Sequence, residues 1–163
     1  MWSFVSGNMI KSSPVLVNNG LAVAFGSYDE YLYCVNAQNG ELVWKVKPGL
    51  GAIYSSPCLV LKNVMGIDQS NVSTEDTLLS TGVILIGTLG GTCAAVSEMD
   101  GRILWSHDIQ APVFTSSLNY NSRALFSSVK GKVKCFLTNS GEERYKRKFG
   151  YHLYIPYISL YLR

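Results

Sequence analysis

The sequence predicts an all-β protein: a partial β-propeller of about three four-stranded antiparallel blades plus an extra N-terminal strand, a fragment of a larger ring. Three observations carry that prediction. First, three stretches fit one 15-residue frame without a gap, running from Gly26 to Gly40, from Gly87 to Gly101 and from Ser127 to Gly141. Second, each is followed four residues later by a large aromatic: Trp44, Trp105, Tyr145. Each is also preceded by a Ser-Ser element, Ser12-Ser13-Pro14, Ser55-Ser56-Pro57 and Ser116-Ser117-Leu118. Third, 15 glycines and 10 tyrosines accompany only 15% charged residues, the balance of a chain of strands and turns.

The elements follow in order. Residues 1–10 are expected to be the closing strand of a preceding blade, because Trp2 precedes Ser12 by nearly the separation of Trp44 and Ser55. Residues 11–48 form blade one. Within it, residues 14–17 read as a strand, Asn18-Asn19-Gly20 as a turn and residues 21–25 as a second strand. Tyr28-Asp29-Glu30 turns the chain into the β-branched and aromatic residues 31–35. Asn39-Gly40 is the strongest hairpin signal, since both residues tolerate positive φ, and residues 41–46 complete the sheet. Blade two spans residues 49–109 and blade three residues 110–149, with Asp100-Gly101 and Ser140-Gly141 supplying the corresponding hairpin turn.

Two segments depart from the repeat. Residues 62–80 are polar, acidic in their second half and without alternation, so they are expected to form a loop projecting from one rim of blade two. Residues 150–163 replace the expected Ser-Ser-Pro with an aromatic and aliphatic tail. Three blades cannot close a ring, which typically needs roughly four to eight.

The frame assigns packing roles. Trp2, Trp44, Trp105 and Tyr145 are expected to lie flat against the neighbouring blade, each burying up to roughly 200 Å². Gly26, Gly40, Gly87, Gly101 and Gly141 hold the turns and close approaches of that arrangement. A ring recurring at every blade boundary is what packing demands.

Composition narrows the function. A net charge of +3 is too small to argue for nucleic acid. Cys34, Cys58, Cys93 and Cys135 form no metal-ligand spacing and are read as reduced, buried small hydrophobes. No basic leader followed by an apolar run opens the chain, and no apolar stretch approaches membrane-spanning length; a cytoplasmic protein is expected.

No Ser/His/Asp or Cys/His group falls on matched frame positions, and no paired carboxylates or His-x-His suggest acid–base or metal chemistry. His107 is read as a surface strand residue, and His152 belongs to the tail. No catalytic residue, cofactor or metal ligand is assigned. A basic cluster remains: Lys130, Lys132 and Lys134 alternate along one strand, while Arg144, Lys146, Arg147 and Lys148 lie on its partner. Solvated blade surface is the plain reading; a docking face for an acidic partner is the functional one.

Gly26-Ser27-x-Asp29 with Leu32-Tyr33, Asn36-Ala37, Gly40 and Trp44 resembles the pyrroloquinoline-quinone-type repeat with its tryptophan-docking pattern, over nearly all of residues 2–149. The segments at residues 53–59, 87–91, 103–107 and 112–116 are similar to consecutive blades of the C-terminal propeller of β-alanine-activating enzymes, the aminoadipate-semialdehyde dehydrogenase branch of the acyl-CoA synthetase family. That resemblance implies a parent with an adenylate-forming domain and a phosphopantetheine carrier domain. Those neighbouring domains are the partners it suggests. It further implies that amino-acid activation belongs to them, since this chain holds no phosphate-binding loop ending near a Lys. The alternatives are a quinone-binding redox propeller and a stand-alone protein-binding scaffold. Quinone-dependent dehydrogenases of this fold use a full ring, a calcium and a catalytic acid, and the alcohol-oxidising ones a vicinal Cys pair absent here.

Overall fold

The computed structural model describes residues 1–61 and 82–148, the last four through their backbone alone. The insertion expected at residues 62–80 and the tail at residues 150–163 lie outside them. Three separate four-stranded antiparallel sheets follow one another along the chain. The first comprises β1 (Val15–Val17), β2 (Ala22–Gly26), β3 (Leu32–Asn36) and β4 (Leu42–Val46). The second comprises β5 (Cys58–Val60), β6 (Val83–Gly87), β7 (Thr92–Ser97) and β8 (Ile103–Asp108). The third comprises β9 (Leu118–Tyr120), β10 (Arg123–Ser127), β11 (Lys132–Leu137) and β12 (Glu143–Lys148). In each sheet the strands pair in chain order, and the short first strands β1, β5 and β9 lie next to one another. This is three blades of a propeller.

Turn chemistry sets the register. Asn18, Asn19 and Gly20 all take positive φ between β1 and β2, and Asn121 and Ser122 do so between β9 and β10. Asn tolerates that region because its short amide hydrogen-bonds locally. Every blade carries a bulge at one frame position, between Cys34 and Val35, Ala95 and Val96, and Cys135 and Phe136. The bulge leaves Trp44 opposite Cys34, Trp105 opposite Ala95 and Tyr145 opposite Cys135.

Alternation sends each blade's side chains to two neighbours. Ala22, Ala24, Leu32 and Cys34 meet Ile84, Ile86, Ala94 and Val96 across the first junction. Leu85, Cys93 and Ala95 meet Ala124, Phe126 and Phe136 across the second. Strands β6 and β7 are buried on both faces because they are sandwiched. That explains their unbroken apolar run, Val-Ile-Leu-Ile in β6.

The expected N-terminal strand is not formed. Residues 1–6 run without a ladder, because the described residues on that side offer no strand to pair with. They nonetheless cover blade one: Phe4 packs edge-on against Phe25 and Tyr33, with ring centroids 5.9 and 5.4 Å apart. Asp29 anchors the segment, accepting the Gly7 N–H at 2.7 Å and the Tyr33 hydroxyl at 2.6 Å.

Candidate interaction site

Each junction is built from the same parts. Trp2 Nε1 donates to the Ala37 carbonyl (3.0 Å), Trp44 Nε1 to Glu98 (3.1 Å) and Trp105 Nε1 to Thr138 (2.8 Å). These three acceptors occupy one frame position. Three residues on, the indole lies over a glycine held at positive φ: Trp2 on Gly40, Trp44 on Gly101, Trp105 on Gly141. A methyl group on Gly101 would stand 2.7 Å from the Trp44 ring, and one on Gly141 2.6 Å from Trp105. Glycine is therefore required twice over, for its backbone conformation and for the space above it. Tyr145 holds the equivalent strand register in blade three.

A second plug closes the other end of each junction. The linker residue Ile53 fills the space a Cβ on Gly26 would need, and Val113 does the same at Gly87. Their backbone N–H groups donate to Ser27 and Thr88 at 3.0 Å. The third blade has Ser127 at this position instead.

Serines bind the linkers to the blades. Ser12 Oγ donates to the Gly26 carbonyl (2.9 Å) and Ser55 Oγ to Gly87 (2.8 Å). Thr115 Oγ1 takes this role in blade three, bonding Ser127 (3.2 Å). The third element is therefore Thr115-Ser116-Ser117, one residue earlier than the Ser-Ser match in the sequence indicates. The true frame is fixed by strand pairing, where Val15, Cys58 and Leu118 are equivalent. The second serines form a relay between blades: Ser13 N–H donates to Ser56 Oγ (2.8 Å), and Ser56 N–H to Ser116 Oγ (3.1 Å).

One buried group escaped the sequence reading and one half-buried group was misplaced by it. Glu98, only 6% exposed, accepts the Asn18 N–H of blade one at 2.9 Å and the Gly82 N–H of its own blade. Its carboxylate therefore clamps the first junction. His107 is half-buried rather than at the surface: it stacks on Phe136 with centroids 4.6 Å apart, and its Nε2 lies 2.7 Å from the Gly141 carbonyl. The carbonyl accepts, so Nε2 is the donor in this contact. The frame could have flagged Glu98, because Ala37 and Thr138 are its uncharged equivalents.

The basic cluster is dispersed by the fold. Lys134 lies opposite Phe126, on the face turned to blade two. It is 12% exposed, paired with Glu143 at 3.2 Å. Lys132 shares that face and donates to the Ile109 carbonyl at 3.0 Å. Arg144 sits at the bulge and pairs with Glu142 at 3.1 Å. Lys130 is exposed in the β10–β11 turn; the side chain of Lys146 lies outside the described residues. Alternation correctly puts Lys132 and Lys134 on one face, but that face meets a neighbouring blade, so they are not a presented docking stripe.

The linker end also carries a short aromatic row. Tyr28, Tyr54 and Phe114 form a row on the linker end of the blades, with centroid spacings of 6.3 and 5.4 Å. Tyr54 is 39% and Phe114 42% exposed. The four thiols are unbridged; burial raises all of them, Cys34 to about 11. Among the described residues no cluster of His, Cys, Asp and Glu is arranged to hold a metal.

Residues 29–148 match the family model described as outer membrane protein assembly factor BamB, a repeat of the pyrroloquinoline-quinone type. The chain belongs to this family. It is 27% identical over 141 residues to the β-alanine-activating enzyme of Drosophila melanogaster, covering 83% of this chain and 12% of the enzyme. It is 25% identical over 141 residues to BamB of Burkholderia pseudomallei, covering 85% of this chain and 30% of that protein. The chain thus spans less than a third of either relative. Among solved structures, BamB from Moraxella catarrhalis superposes with a TM-score of 0.62 at 14% identity, over 90% of this chain and 39% of the other.

Proposed function

We propose that this chain is a non-catalytic interaction segment that holds a protein partner and transforms nothing itself. The observation that carries this reading is where the polar groups go. The Trp44 and Trp105 indoles, Glu98 and His107 join one blade to the next, and the linker serines tie linkers to blades and to one another. Tyr54 and Phe114 stand partly exposed on the linker end, and aromatic side chains are enriched at protein interfaces.

The partners we propose are the adenylate-forming and carrier domains of a β-alanine-activating enzyme, with amino-acid activation residing there. The likeness to the Drosophila enzyme supports this. Four unbridged thiols support a reducing compartment, and we place the chain in the cytoplasm. Two measurements test the proposal. The purified chain is expected to show no ATP–pyrophosphate exchange with β-alanine, and exchange would overturn the non-catalytic reading. Calorimetric titration with the adenylation and carrier domains of the Drosophila enzyme is expected to saturate; a flat titration would overturn the partner assignment.

A further inference from the structure

Blade one contains two Asn-Gly dipeptides, Asn19-Gly20 between β1 and β2 and Asn39-Gly40 between β3 and β4. Asn-Gly is prone to spontaneous deamidation, because glycine has no side chain to keep its amide nitrogen away from the asparagine Cγ. The fold treats the two copies in opposite ways. Asn39-Gly40 is locked at each group the reaction uses. The Gly40 N–H, which would have to attack, donates to the Asn36 carbonyl at 2.9 Å. The Asn39 side-chain amide, which would be attacked, donates from Nδ2 to Glu41 (2.8 Å) and accepts the Glu41 N–H at Oδ1 (3.0 Å). Gly40 itself is buried beneath the Trp2 indole.

Asn19-Gly20 escapes these restraints. Both residues are exposed, and the Asn19 side-chain amide has no hydrogen-bond partner among the described residues. The Gly20 N–H sits in a one-turn 3-10 segment, Asn18–Gly20, where hydrogen-bond geometry is poorer than in a ladder. Asn19 stands at φ 55° and ψ 33°. Gly20 follows at φ 85°, with nothing within 4 Å of where a Cβ would lie. The turn is closed around the reacting pair rather than through it, by the Leu21 N–H on the Asn18 carbonyl at 3.1 Å. The peptide plane between Asn19 and Gly20 therefore has room to rotate, as attack requires.

We infer that Asn19 is a site of spontaneous deamidation in the folded protein, while Asn39 is protected. The Gly20 amide nitrogen gives up its proton and bonds Asn19 Cγ; the Cγ–Nδ2 bond breaks and ammonia leaves, closing a succinimide ring. Water then opens the ring at either carbonyl, leaving aspartate or an isoaspartate whose backbone runs through Cβ. Water is the sole co-reactant. The product matters because of its neighbour. Asn18 donates its N–H to the Glu98 carboxylate at 2.9 Å, the contact that clamps blade one to blade two. Deamidation sets a new negative charge one residue from that clamp, and isoaspartate lengthens the chain there by a methylene. The first junction thus loosens as the chain ages.

The test ages the full chain at pH 8 and follows both turns by peptide mapping with mass spectrometry. Asn19 is expected to convert at least roughly tenfold faster than Asn39 in the native chain, because only its turn is free of the surrounding fold. In urea, where both turns are open, the two should convert at like rates. Equal native rates, or an Asn19 that converts only in urea, would overturn the proposal. Its consequence is read at Cys34, buried in the first junction. Ellman's reagent should label Cys34 severalfold faster in the aged chain than in the fresh one. Asn19→Ser removes the reacting amide, and Ser122 already takes φ 59° in the corresponding turn of blade three, so the turn is retained. That variant should age with no gain in Cys34 labelling. No gain in the aged parent, or an equal gain in the variant, would overturn the link to the Glu98 clamp.

Discussion

At the residue scale Glu98 ties the first junction through both its side chain and its backbone. Its carboxylate serves two backbone N–H groups on two blades, and its carbonyl serves the Trp44 indole. Removing the carboxylate strands the buried Gly82 N–H and the part-buried Asn18 N–H, and a buried donor costs about 1–3 kcal/mol when unpaired. Glu98→Ala is therefore expected to lower the urea midpoint strongly, by about 2–4 kcal/mol of stability. Glu98→Gln, which keeps one side-chain acceptor oxygen, should fall between the two. Equal loss in both variants would show that the clamp works through packing alone. Gly101→Ala is expected to be destabilising for an unrelated reason: φ of +72° and the Trp44 ring above it leave a methyl group no place.

At the element scale the N-terminal segment is tied to blade one through Asp29. Burial works against its charge, but hydrogen bonds from Tyr33, Ser27, Tyr31 and Gly7 outweigh it, and the carboxyl sits below its ordinary 3.8. A carboxyl lowered by folding adds stability above its unfolded value, and that contribution drains away as pH falls through the folded one. Loss of the segment's contacts is thus expected only below pH 3.8, where the folded carboxyl takes up its proton. Tyr33 moves the opposite way, raised by burial and then by the Asp29 hydrogen bond. Asp29→Asn should flatten the acid limb of the stability profile; an unchanged limb would place the acid sensitivity elsewhere. Much at this scale was readable beforehand. Turns, strands and the recurring aromatic all follow from local chemistry repeated three times. The slip at Thr115-Ser116-Ser117 arose because a threonine stands in for the first serine, so the visible Ser-Ser pair falls one residue late. Only the pairing of β9 with β10 reveals the shift. The lost N-terminal strand has the same origin, since a strand is a property of two segments.

At the scale of the whole molecule, stacking makes each blade's interior its neighbour's business. The candidate site illustrates how far sequence carries. The indoles and glycines of the junctions were legible because their frame repeats. Lys132 and Lys134 were not, since alternation gives a shared face without saying whether water or another sheet lies against it. The aromatic row was hidden because its members come from linkers and a turn of different blades. The same layering shields the thiols. Cys34 and Cys93 are fully buried, and burial holds all four thiols in the unreactive protonated form. Ellman's reagent at pH 8 is therefore expected to label the native chain slowly and all four sites at once in urea. Rapid labelling of Cys34 without denaturant would mean that the first two blades part readily.

Ser127 has a consequence for anyone wishing to build with this unit. The earlier blades leave a hollow where the following linker inserts an isoleucine or valine, and the third fills that hollow with its own hydroxymethyl group, bonded to Thr115 at 2.7 Å. Copies spliced head to tail would meet a step at every third seam. Carving it out with Ser127→Gly would be the first alteration on the way to a symmetrical closed wheel.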